Sequence, residues 1–246
     1  MRRKSVSALK RIILVTLCVI SALAGMNNSF AAPFFSEAGK QAVILSPLEN
    51  WMPTWTRDAY VSPLERAGYQ VDVLLNGNVS ISFLKTGLAK YDVIILRTDS
   101  FQSEGPDFYC AGDPVTSRTR AAFSKEIAAQ EVDVSVCVGF SILFLQHNYP
   151  ANSLRRGLVV VVGSPAGGLS SAFTRAGSAA FIGYYDVLNL NWGRIDCLTQ
   201  KLLAYLSQGN NIRDSVIQLN NYVYRGHGAT ADWPSVFWYG EATFKI

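Results

Sequence analysis

The chain has 246 residues, of which 49% are apolar and 16% charged, a globular composition long enough to bury one sizeable core. Its formal net charge of +4 is misleading. The first 31 residues hold five of the 22 basic residues (Arg2, Arg3, Lys4, Lys10, Arg11) and no acidic one, so the remainder carries 17 basic against 18 acidic. That balance argues against a nucleic-acid partner.

The five basic residues precede an apolar run over 12–24, and Ser29-Phe30-Ala31 then offers small residues at the positions a signal peptidase reads. Residues 1–31 therefore read as a secretory signal cleaved after Ala31. The run is shorter than the ~18 apolar residues of a spanning helix, with an uncleaved anchor as the alternative. Cys18 is preceded by Leu17 inside the run, which does not suit a lipoprotein site. The expectation is an exported protein, periplasmic or secreted, with residues 32–246 as one domain and no membrane span after cleavage.

The mature region opens with a short apolar strand at 42–46 (AVILS) and a loop at 47–56 that contains Trp51, Pro53 and Trp55. A helix follows over 58–67, stopped by Gly68, unless Pro63 marks its first turn. Residues 69–75 alternate as a second strand, and Asn76-Gly77-Asn78 turns the chain. Ile81, Leu84 and Leu88 share one face of a helix at 80–88. Residues 92–97 are a third strand. Strands alternating with helices at this spacing imply parallel pairing through right-handed crossovers.

Residues 100–131 break the pattern. They are polar, carry Gly and Pro, and show helical character only over 118–130; they read as an insertion at the sheet edge. Residues 132–138 (VDVSVCV) alternate like a strand, and 141–147 continue as a helix. Cys110 and Cys137 flank this irregular stretch and are the expected disulfide pair in an exported chain. Cys197 is then a free packing residue.

Residues 158–168 (LVVVVGSPAGG) are the centre of the argument. Five apolar residues suit a strand buried on both faces, and a Gly-rich turn leads into a helix at 169–175 that Gly177 stops. A buried strand at 179–183, helices at 192–206 and 212–223, and an aromatic strand at 235–239 complete the chain. In such α/β sheets the carboxyl ends of the strands carry the site. That end should hold Arg97 and Asp99 after one strand, Gly163 and Ser164 after another, and Asp186 after the next. Trp51 and Trp55 should lie on the same rim.

The residue types limit the chemistry. Ser164 lacks the two glycines of a nucleophile elbow, because Val162 and Ala166 stand there. The turn 163–168 lacks the Lys-Ser/Thr of a P-loop, although backbone N–H groups at a helix start can hold an anion. His147 reads as a polar residue at a helix end and His227 as a loop residue, the latter also a candidate base for Ser164. Two distant histidines without paired cysteines imply no metal site, and no cofactor is expected. Arg97 should form an ion pair with Asp99 or Asp186.

The order AVILSPLE, ERAGYQVDVL, KYDVIILRTDS, GLVVVVGSPAGGLSSAFTRAGSAAFIGYYD, LTQKLLAYL and VFWYGE resembles the caspase-like, gingipain-like cysteine peptidases, a group that includes separase-like and CHAT domains. The resemblance runs from about residue 41 to 240. It implies a three-layer α/β fold, a mostly parallel sheet with helices on both faces. It also implies a catalytic histidine after the third strand, in a context like Arg-Thr-His-Ser, and a cysteine directly after a glycine on the next core strand. Here those positions are Asp99 and Ser164. Serine needs an adjacent base, and an Asp–Ser pair lacks the imidazole that takes and returns the proton. The resemblance therefore leads to an exported, catalytically inactive caspase-like domain that binds a peptide or protein at the strand-tip crevice. The alternatives are a serine-dependent hydrolase using Ser164 and an exported anion- or small-ligand-binding protein.

Overall fold

Apolar residues alternate between two faces along each core strand, so each strand must be covered twice. In β1 (Gln41–Ser46), Val43 and Leu45 join one buried cluster while Ala42 and Ile44 join another. Ile94 and Leu96 against Val93 and Ile95 do the same in β3 (Val93–Thr98), as do Val159 and Val161 against Val160 and Val162 in β8 (Leu158–Pro165). The computed structural model describes residues 39–50, 57–103, 105–185, 192–226 and 234–246.

These strands form a six-stranded sheet with β2 (Gln70–Leu75), β9 (Ala180–Tyr185) and β10 (Ser235–Gly240), in the order β10-β9-β8-β3-β1-β2. All pairs are parallel except β9 with β10. One face is covered by α1 (Arg57–Arg66), α7 (Trp192–Ser207) and α8 (Ile212–Gly226), through Tyr60, Leu64, Leu198, Leu202 and Val216. The other is covered by α2 (Ile81–Thr86), α5 (Ile142–Asn148) and α6 (Gly167–Ala176), through Ile81, Leu84, Phe144, Leu169 and Phe173. The fold is thus three-layer α/β, as expected.

Local chemistry explains several boundaries. Ser80 Oγ accepts from Phe83 N–H at 3.1 Å, and Asp113 Oδ2 accepts from Ile81 N–H at 2.6 Å, so two donors at the start of α2 are satisfied. Gly177 ends α6 at φ 118°, a left-handed stop. Pro63 lies inside α1, which starts at Arg57 rather than at the proline. Pro63 and Leu64 are both buried; Leu64 packs in the cluster under the sheet, and Pro63 lines a groove between α1 and α7.

The stretch 100–141 differs most from expectation. It is a second sheet of four antiparallel strands, β4 (Ser100–Gln102), β5 (Asp107–Cys110), β6 (Val132–Val134) and β7 (Val138–Ser141), in the order β4-β5-β7-β6. Its buried residues Tyr109, Val132, Val138 and Phe140 share a cluster with Val43, Leu45 and Leu96, so it is part of the core and not an edge ornament. The expected single strand at 132–138 is a hairpin whose turn is Ser135 to Cys137, with Val134 paired to Val138. The expected helix at 118–130 is two short helices, α3 (Ser117–Ala122) and α4 (Ser124–Ala128), interrupted at Phe123.

Candidate functional site

The parallel register of β3 and β8 decides what meets at the strand tips. Thr98 is paired with Gly163, so Asp99 and Ser164 are the next residues on neighbouring strands. Adjacent strands lie ~4.8 Å apart, which brings the two backbone positions side by side. Asp99 Oδ1 accepts from Ser100 N–H at 2.8 Å, and the Asp99 carbonyl oxygen accepts from Cys110 N–H at 2.9 Å. The Ser164 side chain lies outside the described residues, as do Trp51, Trp55, Asp186 and His227.

Gly163 is required by its surroundings. Its φ is +119°, and a Cβ there would sit 2.3 Å from Trp192 Cη2 and 2.4 Å from the Thr98 carbonyl oxygen. The Trp192 indole fills the space beside Gly163. Gly163 is thus a close-packing position at a kinked strand end, where the β8–β9 register also shifts between Val160 and Pro165.

Arg97 is fully buried, and its partner is a residue that the sequence reading did not single out. Its Nε donates to Asp196 Oδ1 at 2.9 Å and its Nη2 to Asp196 Oδ2 at 2.8 Å, a bidentate pair. Its Nη1 lies 3.6 Å from Glu49 Oε2 and 3.4 Å from Ser46 Oγ, and the guanidinium sits 5.0 Å from the Trp192 ring centroid. Ser46 Oγ donates to Glu49 at 2.7 Å, and Tyr60 O–H donates to Asp196 Oδ1 at 2.7 Å. Burial alone would lower the Arg97 pKa, but the hydrogen bonds and charge of Asp196 outweigh it and hold the group above its ordinary value. Burial, then the Asp196 charge, raises the Tyr60 phenol well above its usual range. Arg97 therefore ties β1, β3, α1 and α7 together beneath the tips, and its place is structural rather than ligand-facing.

Beside this network lies an open pocket of about 410 Å³. Pro47 and Leu48 after β1, Asn76 after β2, Ala111 to Val115 after β5, and Val136 and Cys137 line it. Val115 is 45% and Val136 67% exposed, an unusual pair of solvent-facing aliphatics at one mouth. Burial raises the Asp113 carboxyl above its ordinary range, against the lowering effect of the Ile81 N–H bond. Cys110 and Cys137 form the expected disulfide, with Cα atoms 5.8 Å apart, and Cys197 is a free thiol. Cys197 lines a separate groove of about 360 Å³ between α1 and α7 with Asp58, Arg66 and Lys201.

Among the described residues the only histidine is His147, whose Nδ1 lies 2.6 Å from Glu131 Oε1. Among them there is also no cluster of three potential metal ligands and no helix long and apolar enough to cross a membrane. No protein-family model matches the chain, and no curated protein matches it. The pocket was not visible in the sequence, because residues from four separate segments build it. Asp196 was more accessible: it falls beside Ile195 and one turn before Thr199 in a helix whose other buried residues are aliphatic.

Proposed function

We propose that this chain is an exported, catalytically silent domain of caspase-like type that binds an extended peptide or protein segment along the carboxyl ends of its strands. The apolar pocket beside the strand tips carries the reading. Its size is within the ~300–1,000 Å³ range of ligand sites, and Leu48, Val115 and Val136 offer a surface for one apolar side chain of the bound segment. Asn50, Asn76 and Asp113 supply a few polar groups at the same opening.

The residues argue against peptide hydrolysis. Asp99 and Ser164 replace the histidine and cysteine that the resemblance expects, and the Asp99 carboxylate is engaged by its neighbour's N–H. A serine nucleophile needs a base that takes its proton and returns it, and the described histidine is held by Glu131 instead. The cationic group nearest the tips, Arg97, is committed to Asp196.

Two experiments test this reading. Protein beginning at Ala32, beside its Ser164→Ala form, is assayed on a mixed panel of peptides and esters; both should show only background. Turnover that disappears with Ser164→Ala would make the protein a serine-dependent hydrolase. Random-sequence peptides are then selected on the wild type and measured against Val136→Asp. Affinity should fall about tenfold or more, since burying one valine is worth ~1.5 kcal/mol. Undiminished binding would remove the pocket from the reading. Stabilisation by sulfate that Gly167→Asp abolishes would favour anion binding at the turn instead.

A further inference from the structure

The disulfide joins two places with different surroundings. Cys110 is bound to the tip of β3: its N–H donates to the Asp99 carbonyl oxygen at 2.9 Å, and its own carbonyl oxygen accepts from Thr98 Oγ1 at 2.8 Å. Both half-cystines are buried, but Cys137 follows the exposed Val136 and lines the pocket, whereas Cys110 is not among the lining residues described. One half of the bridge is therefore anchored in the core, and the other borders an opening wide enough for a small molecule.

We propose that this pocket is the route by which a small-molecule thiol reaches the Cys110–Cys137 bond, and that Cys137 is the sulfur attacked. The entering thiolate bonds to Cys137 Sγ as the Sγ–Sγ bond breaks. The electron pair leaves on Cys110 Sγ, which takes up a proton. A second thiolate then attacks the external sulfur of the mixed disulfide, and Cys137 leaves and is protonated. One protein disulfide and two thiols become two cysteines and one external disulfide.

The consequence is local. Ala111 N–H still donates to the Val138 carbonyl oxygen at 2.7 Å, and Cys110 remains paired with Gly139 across β5 and β7, so the small sheet keeps its register. What is lost is the covalent tie between the Val136–Cys137 wall of the pocket and the Asp99 end of β3. The redox state thus sets how firmly the pocket wall is held. This inference does not depend on peptide binding, and its readout needs no peptide.

The test treats native, full-length mature protein with reduced glutathione, stops the reaction with acid and N-ethylmaleimide, and maps tryptic peptides by mass spectrometry. The expected result is loss of the Cys110–Cys137 cross-linked peptide, with glutathione on the peptide that contains Cys137 and maleimide on the one that contains Cys110. Glutathione on Cys110, or reaction only in urea, would overturn the assignment. Val115→Trp, which narrows the pocket mouth from an exposed position, should slow cross-link loss; an unchanged rate would show that the thiol enters elsewhere.

Discussion

Removing Asp196 while leaving Arg97 in place is the most informative perturbation of the strand-tip network. The guanidinium is fully buried and loses two hydrogen bonds of 2.8 and 2.9 Å at once. Glu49 remains at 3.6 Å, but its carboxylate is already engaged by Ser46. Tyr60 also loses its hydrogen bond to Asp196. Breaking a buried ion pair by removing one partner costs ~3–5 kcal/mol, a large share of the ~5–15 kcal/mol that keeps a domain folded. Asp196→Leu should therefore lower the melting temperature by roughly 10 °C.

The double variant Arg97→Met, Asp196→Leu supplies the control. Replacing a buried ion pair by apolar groups of similar volume is often neutral or stabilising, because neither charge then has to be desolvated. Urea denaturation followed by circular dichroism, on the wild type, both single variants and the double, measures the coupling directly. The double variant should recover most of what Asp196→Leu loses. If the single variant costs under ~1 kcal/mol, or the double costs the sum of the singles, Asp196 is not what holds the guanidinium.

Three further outcomes follow from named contacts. Gly163→Ala should destabilise strongly, because it forces a Cβ onto Trp192 and the Thr98 carbonyl at φ +119°, where backbone strain alone costs ~1–3 kcal/mol; a melting curve equal to the wild type would contradict the packing described. Glu126, lowered chiefly by its hydrogen bond to Lys85 at 2.5 Å, contributes stability above the unfolded carboxyl range that disappears as pH falls through its depressed value. Glu126→Gln should thus cost ~0.2–1 kcal/mol at pH 7 and nothing in strong acid, and a pH-independent difference would exclude the ion pair as its cause. Asp113 is shifted the other way by burial, so the folded state favours its proton and loses stability as pH rises through the raised value. Asp113→Asn keeps an acceptor for Ile81 N–H and should be the more stable form at neutral pH, with the gap closing below about pH 4; greater stability of the wild type at pH 7 would refute this.

The legible parts of the fold are those where one rule decided the outcome. Val93 to Leu96 and Leu158 to Val162 read as strands because both faces are buried, and aliphatic runs of that length leave few other options. The adjacency of Asp99 and Ser164 follows once those strands pair in parallel, and the Cys110–Cys137 bond follows from the segment they flank. The small sheet was illegible because its strands are three or four residues long, too short for a period to emerge. Within VDVSVCV the alternation misled: Val134 and Val138 are buried, but Val136 is turned to solvent by the hairpin that the disulfide secures. The same exposure makes Val136 a wall of the pocket. One departure from the binary pattern therefore explains both the misread strand and the missed site. Arg97 shows a partner that the sequence hides. An ion pair with Asp99 or Asp186 was expected at the strand tip, but burial is decided by what packs above the tip, and Trp192 and Asp196 arrive there from a helix a hundred residues later. A charged residue at such a tip becomes a candidate for binding only after every buried acid on the covering helices has been considered as its partner.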